Sequence, residues 1–135
     1  MKIVIDANVI IAAFATRGLC NEIFELCLVQ QEIFLCDALI REIRNGLLKK
    51  IKVPENAVEN IVKFLESKTH RVKPSEVDKH ICRDPKDIMV LGTAESICAD
   101  VILTGDKDLL VLKTYKNTKI VTPRQFLELL KQNRL

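Results

Sequence analysis

Apolar residues in this chain fall into short, β-branched runs separated by longer stretches with helical spacing. Ile3-Val4-Ile5 is the first run, and residues 2–6 read as a buried strand. Residues 8–14 are apolar and stop at the break Thr16-Arg17-Gly18. Over residues 20–31, Ile23, Phe24, Leu26, Cys27 and Leu28 recur at helical spacing. A second strand is expected at Ile33-Phe34-Leu35-Cys36, after which Asp37 is placed to cap a helix running to about Lys50. Pro54 opens another helix with Val58, Ile61, Val62 and Leu65 on one face. A short strand follows near His70-Arg71-Val72, then a polar segment, 74–84, of loop or short helix. The remaining pattern predicts a helix over 86–98, a strand over 101–104 and a short helix over 106–112. Lys119-Ile120-Val121 is the last expected strand, and Pro123 starts an amphipathic helix through Leu130. Strands alternating with helices imply an α/β fold with a parallel sheet and helical crossovers.

Carboxylates punctuate this pattern. Asp6 follows three β-branched residues, and Thr104-Gly105-Asp106-Lys107-Asp108 follows Val101-Ile102-Leu103. Both place acids at strand tips, the edge where ligands bind in open α/β sheets. Arg83-Asp84-Pro85-Lys86-Asp87 adds two acids at a helix start. Each acid has an ordinary alternative. Asp6 and Asp106 are natural N-caps, and one of Asp84 and Asp87 is explained the same way, leaving the other surplus. Asp87 begins an apolar helical run and is the better candidate to face a cleft. Glu42 falls roughly 60° outside the apolar arc of Leu39, Ile40, Ile43 and Leu47 at about 100° per residue, so it stands on a helix border. Asn8 is a turn residue whose amide could hold Asp6, and the Thr104 hydroxyl could enter the same cleft. Acids gathered without matching cations repel one another, which makes a hard divalent ion their natural occupant and phosphate chemistry the implied use.

Composition narrows the classes. The 135 residues suit a single domain spanning 1–135, and 48% hydrophobic with 29% charged residues is a globular balance. Five Phe, one Tyr and no Trp argue against a surface built on base stacking. No apolar run approaches the ~18 residues of a membrane span, and the start lacks a signal-peptide layout, so the expectation is a cytoplasmic protein. The net charge of +3 is too small to diagnose nucleic-acid binding, though acids sequestered in one pocket leave the remaining surface more basic. Cys20, Cys27, Cys36, Cys82 and Cys98 form no Cys-x-x-Cys pair and read as buried reduced thiols.

Taken together, these residues resemble the PIN-domain nucleases, specifically the small VapC-like group that forms the toxin component of toxin–antitoxin pairs. The likeness runs through Ile3-Val4-Ile5-Asp6-Ala7-Asn8-Val9, Leu39-Ile40-Arg41-Glu42-Ile43, Arg83-Asp84-Pro85-Lys86-Asp87, Ala99 to Leu110, and Thr122 to Leu130. It implies a three-layer α/β/α sandwich around a twisted parallel sheet. It also implies a metal-binding catalytic quartet at Asp6, Glu42, Asp87 and Asp106, with Asp108 and Asp84 as accessory acids and Thr104 in the position of the family's Ser or Thr. RNA as substrate, a small antitoxin and self-association as a homodimer are further implications of the resemblance.

Phosphodiester hydrolysis needs an activated water, in-line geometry and charge neutralisation on the leaving oxygen, which Mg²⁺ or Mn²⁺ held by carboxylates supplies. Oxygen-only ligands favour these ions over zinc. Substrate phosphates would meet cations outside the acidic pocket: Arg17, and the cluster Arg41, Arg44, Lys49, Lys50 and Lys52, which reads equally as a solvated helix face. Other classes fit less well. A receiver domain needs a lone Asp on a central mid-chain strand, and an Asp-nucleophile phosphatase wants an acid where Asn8 stands. A structure-specific DNA nuclease and a catalytically inactive PIN module binding RNA or protein are the remaining alternatives.

Overall fold

A computed structural model describes residues 1–132 of the chain. Its sheet runs in the order β3-β2-β1-β4-β6-β5, with β1 Lys2–Ile5, β2 Glu32–Leu35, β3 His70–Arg71, β4 Val101–Leu103, β5 Thr114–Tyr115 and β6 Thr118–Val121. The helices are α1 Ala7–Ala15, α2 Leu19–Gln30, α3 Asp37–Lys49, α4 Glu55–Lys68, α5 Pro85–Ile97, α6 Lys107–Leu110 and α7 Pro123–Lys131. The result is a mixed α/β fold, a central, mostly parallel sheet flanked by helices. No helix among the described residues is long and apolar enough to cross a membrane.

The unbroken apolar run Ile3-Val4-Ile5 has its reason in β1. This strand lies between β2 and β4, parallel to both, and all three side chains are fully buried, so alternation would serve nothing. α5 packs directly on β1, β2 and β4, while α1 contacts α2 and α3. From β1 the chain progresses to β2 and β3 on one side, then returns to β4 and β6 on the other. The direction therefore reverses between β1 and β4, and the tips of these two strands bound a crevice. The Asp6 N–H donates to the Leu103 carbonyl at 2.9 Å, which fixes the two tips side by side.

Three local expectations need correction. β5 pairs antiparallel with β6 where no strand was expected, because β5 is only two residues long and its turn, Lys116-Asn117, has Asn but no Gly. Lys116 takes the left-handed position at φ 54, a place where Gly or Asn is the common choice, and an ion pair from its ammonium to Glu95 holds it there. Asp37 is the first residue of α3 rather than its cap. Cys36 occupies the cap position, and the Asp37 carboxylate pairs with Arg71 instead. Pro54 stands likewise one position earlier than expected, before Glu55 opens α4. The 74–84 segment is a loop, one of the two forms expected of it. It lies against α5, where the Ser75 N–H donates to the Gly92 carbonyl at 2.9 Å. All five cysteines are free, with Cys27, Cys36 and Cys82 buried.

Candidate active site

Asp6 leaves β1 with extended backbone and stands at the cap position of α1, yet its side chain makes no cap bond. Its Oδ2 instead accepts the Thr104 hydroxyl at 2.7 Å. Thr104 lies one residue beyond β4 and itself accepts the Asp106 N–H at 3.0 Å. The hydroxyl proton is thus committed to Asp6, and Thr104 ties the two strand tips together rather than facing a ligand. Asp106 caps α6, its Oδ1 accepting the Asp108 N–H at 2.8 Å. Asp84 caps α5 through the Lys86 N–H at 2.9 Å, and Asp87 enters the crevice from the first turn of that helix.

One carboxylate oxygen from each of Asp6, Asp87 and Asp106 lies within 4.8 Å of the other two. Asp6 is 5% exposed and Asp87 3%, so these charges stand largely out of water. Burial and mutual repulsion both favour the protonated form of these carboxyls. Burial, only partly offset by the Thr104 hydrogen bond, raises the Asp6 carboxyl above its ordinary range. Burial first, then the contact with Asp106 and its charge, pushes Asp87 up to about 7. Glu42 is raised by burial and by Asp6, with Lys86 and Lys50 pulling the other way. The Cys82 thiol is raised by burial and then by Asp87, Asp108 and Asp106, which places it beside the same charges.

The donor set fits a hard divalent cation. It offers oxygen alone, its charges repel, and Asp87 Oδ2 is buried with no hydrogen-bond partner. An orphaned charged acceptor is unfavourable by roughly 1–3 kcal/mol or more, and a cation removes that cost together with the repulsion.

Other candidates are distributed unevenly. Glu42 does not join the three aspartates within 4.8 Å; half-buried on α3, it feels the charge of Asp6 and of Lys86 and Lys50. Asp108 turns its carboxylate to Arg83 Nη2 at 3.2 Å. Asn8 is exposed and makes no hydrogen bond to Asp6, whose partner is Thr104. The expected basic cluster divides. Arg41, Lys49 and Lys50 line a groove of about 370 Å³ beside Glu42, whereas Arg44 is engaged by Glu59 at 3.0 Å and Lys52 lies exposed past α3. Arg17 is exposed in the bend between α1 and α2 and does not line this groove. Sequence reasoning missed Arg83, Lys86 and Asn45. The first two flank Asp84 in a motif read only for its acids, and Asn45 follows Glu42 by three residues, one helical turn on.

The family model described as PIN domain matches residues 2–108. Among curated proteins none matches the chain. Solved structures similar in fold include two VapBC complexes. One is VapBC2 from Rickettsia felis bound to a DNA fragment from their promoter, at 12% identity and TM-score 0.64, covering 90% of this chain and 98% of that one. The other is VapBC-1 from nontypeable Haemophilus influenzae, at 14% identity and TM-score 0.64, covering 92% and 99%.

Proposed function

Because the chain belongs to the PIN-domain family, we propose that it is a Mg²⁺- or Mn²⁺-dependent endoribonuclease, the cytoplasmic toxin of a toxin–antitoxin pair. The observation that carries this reading is the buried trio of Asp6, Asp87 and Asp106, with Asp87 Oδ2 unpartnered at the crevice between β1 and β4. In the proposed arrangement these three hold the ion, and Glu42 is the outer, fourth carboxylate. The bound ion would polarise the phosphodiester, activate a water and neutralise the leaving oxygen.

The chain's own groups do the rest. Thr104 keeps Asp6 ionisable in a buried place by donating to it. Asp106 is oriented from behind by the Asp108 N–H. The Arg83 guanidinium, held by Asp108 and otherwise exposed, stands where a substrate phosphate can take it over. No histidine lies among these residues, so leaving-group protonation falls to solvent. The VapBC likeness and the small-toxin resemblance support an antitoxin as partner and self-association as the oligomeric form.

The test is cleavage of single-stranded RNA by purified protein, with Mg²⁺ or Mn²⁺, then EDTA, then restored metal. Activity that stops and resumes supports the reading. Cleavage of flap DNA but not RNA would replace it with the DNA-nuclease alternative, and binding without cleavage would favour an inactive module.

A further inference from the structure

The groove beside Glu42 has a composition that the acidic cluster does not need. Its floor is apolar, formed by Ile11 from α1, Leu39 from α3 and Met89 from α5, with Ile11 packed closely on Gly46. Two amides, Asn8 and Asn45, stand exposed at its side. Its rim carries Arg41, Lys49, Lys50 and Lys86 against the single carboxylate of Glu42. Four cations to one anion is the reverse of the balance where Asp6, Asp87 and Asp106 meet. Asn8, two residues beyond Asp6, and Lys86, next to Asp87, both line the groove, so the chain segments that carry the cluster also form its wall. At about 370 Å³ it is within the size range, roughly 300–1,000 Å³, of sites for single small groups.

We propose that this groove is a subsite for one unpaired nucleotide of the RNA, its base on the apolar floor against Asn8 and Asn45 and its phosphates on the lysine rim. The inference rests on the nuclease reading above and adds a place where sequence is read. An unpaired base presents an apolar face and a hydrogen-bonding edge, and a side-chain amide offers a donor and an acceptor to that edge. Phosphates flanking the base require cations on the rim and none on the floor. With aromatics scarce, an aliphatic floor and two amides replace the stacking platform of other single-strand binders. The cationic rim also disfavours a basic peptide as occupant.

Two measurements test this, one of them independent of catalysis. The first sequences the ends produced from a randomised single-stranded RNA pool. Wild type is expected to prefer one base at a fixed position near the cut. Asn45→Ala should lower that preference roughly ten-fold, read as the ratio of bases among the cuts it makes whatever its overall rate. The second measures binding of fluorescent adenine, cytosine and uracil hexaribonucleotides in EDTA across a salt series. Replacing Lys49 and Lys50 by Ala should flatten the salt dependence by about 0.7 in log–log slope per lysine, whereas Lys63→Ala on α4 should not change it. All of these positions are exposed, and a thermal melt confirms folding of each variant. Base preference unchanged in Asn45→Ala, or a salt slope unchanged in the double lysine variant, overturns the subsite. If no RNA is cleaved but hexamer binding responds as described, the subsite stands and the nuclease reading fails. A wild type that neither cleaves nor binds RNA removes both.

Discussion

Asp6 shows how one side chain carries opposite obligations. Without metal it is a buried carboxylate raised by desolvation and by its acidic neighbours; with metal it is a ligand. Asp6→Asn removes the charge while keeping an oxygen to accept from Thr104, so metal-free protein should melt no lower and up to a few degrees higher. The same variant should lose RNA cleavage, and Asp87→Asn should behave alike. Asp84 is different because its carboxylate is occupied by the Lys86 N–H. Asp84→Asn, an equally good cap, should retain substantial activity and stability, whereas Asp84→Ala should cost about 1 kcal/mol in denaturant unfolding. Thr104→Val would strand the Asp106 N–H and deprive Asp6 of its donor, a loss of roughly 1–3 kcal/mol that Thr104→Ser should largely avoid. Equal cleavage by wild type and Asp6→Asn would locate the chemistry elsewhere.

At the scale of elements, the site depends on a segment that is not regular structure. Residues 74–84 carry Cys82, Arg83 and Asp84 to the crevice and are strapped to α5 through Ser75 and Gly92. A Cβ at position 92 would come within 2.5 Å of the Ser75 carbonyl oxygen and 3.1 Å of Pro74 Cβ. These are backbone and ring atoms that cannot rotate away. Ala ordinarily gains about 1 kcal/mol over Gly inside a helix. Here Gly92→Ala should instead destabilise, by roughly 1–3 kcal/mol of overpacking, and speed hydrogen exchange at the Ser75 amide. A stabilised Gly92→Ala with unchanged exchange would show that the strap yields freely. Gly105 sets the contrast: nothing lies within 4 Å of a Cβ built there, so no steric conflict of this kind is expected.

For the whole molecule, the acid cluster links stability to pH and metal. Asp87 is lifted to about 7, and Asp6 and Glu42 are lifted too, from ordinary values near 4. Folded groups with raised values bind protons more tightly than the unfolded chain does. Their stabilisation is full below about pH 4 and is lost as pH rises toward 7. In EDTA, the contribution of this cluster should therefore make the melting temperature fall across that interval. Mg²⁺ should raise it, and more at pH 7.5 than at pH 5, because the ion competes with protons for the same oxygens. A melting temperature indifferent to Mg²⁺ at pH 7.5 would argue against an ion held by this trio.

The alternation of β-branched runs with helical spacing already determined the elements, because buried parallel strands and amphipathic helices cannot exchange their periods. Ile3-Val4-Ile5 and Val101-Ile102-Leu103 announced the central strands, and the acids after them announced a binding edge. The sequence also offered Asp6, Asp87 and Asp106 as candidates, Asp6 and Asp106 each with a capping role that would explain it alone and Asp87 as the acid left over beside Asp84. Only tertiary structure separates these roles, since a cap is satisfied within its own helix while convergence needs three distant junctions at one edge. It placed Glu42 beside the trio rather than within it, gave Thr104 to Asp6, drew Arg44 away to Glu59 and split the basic run along α3. It also supplied the β5–β6 hairpin, whose turn rests on a lysine at positive φ held by Glu95, a contact 21 positions distant that no local pattern encodes.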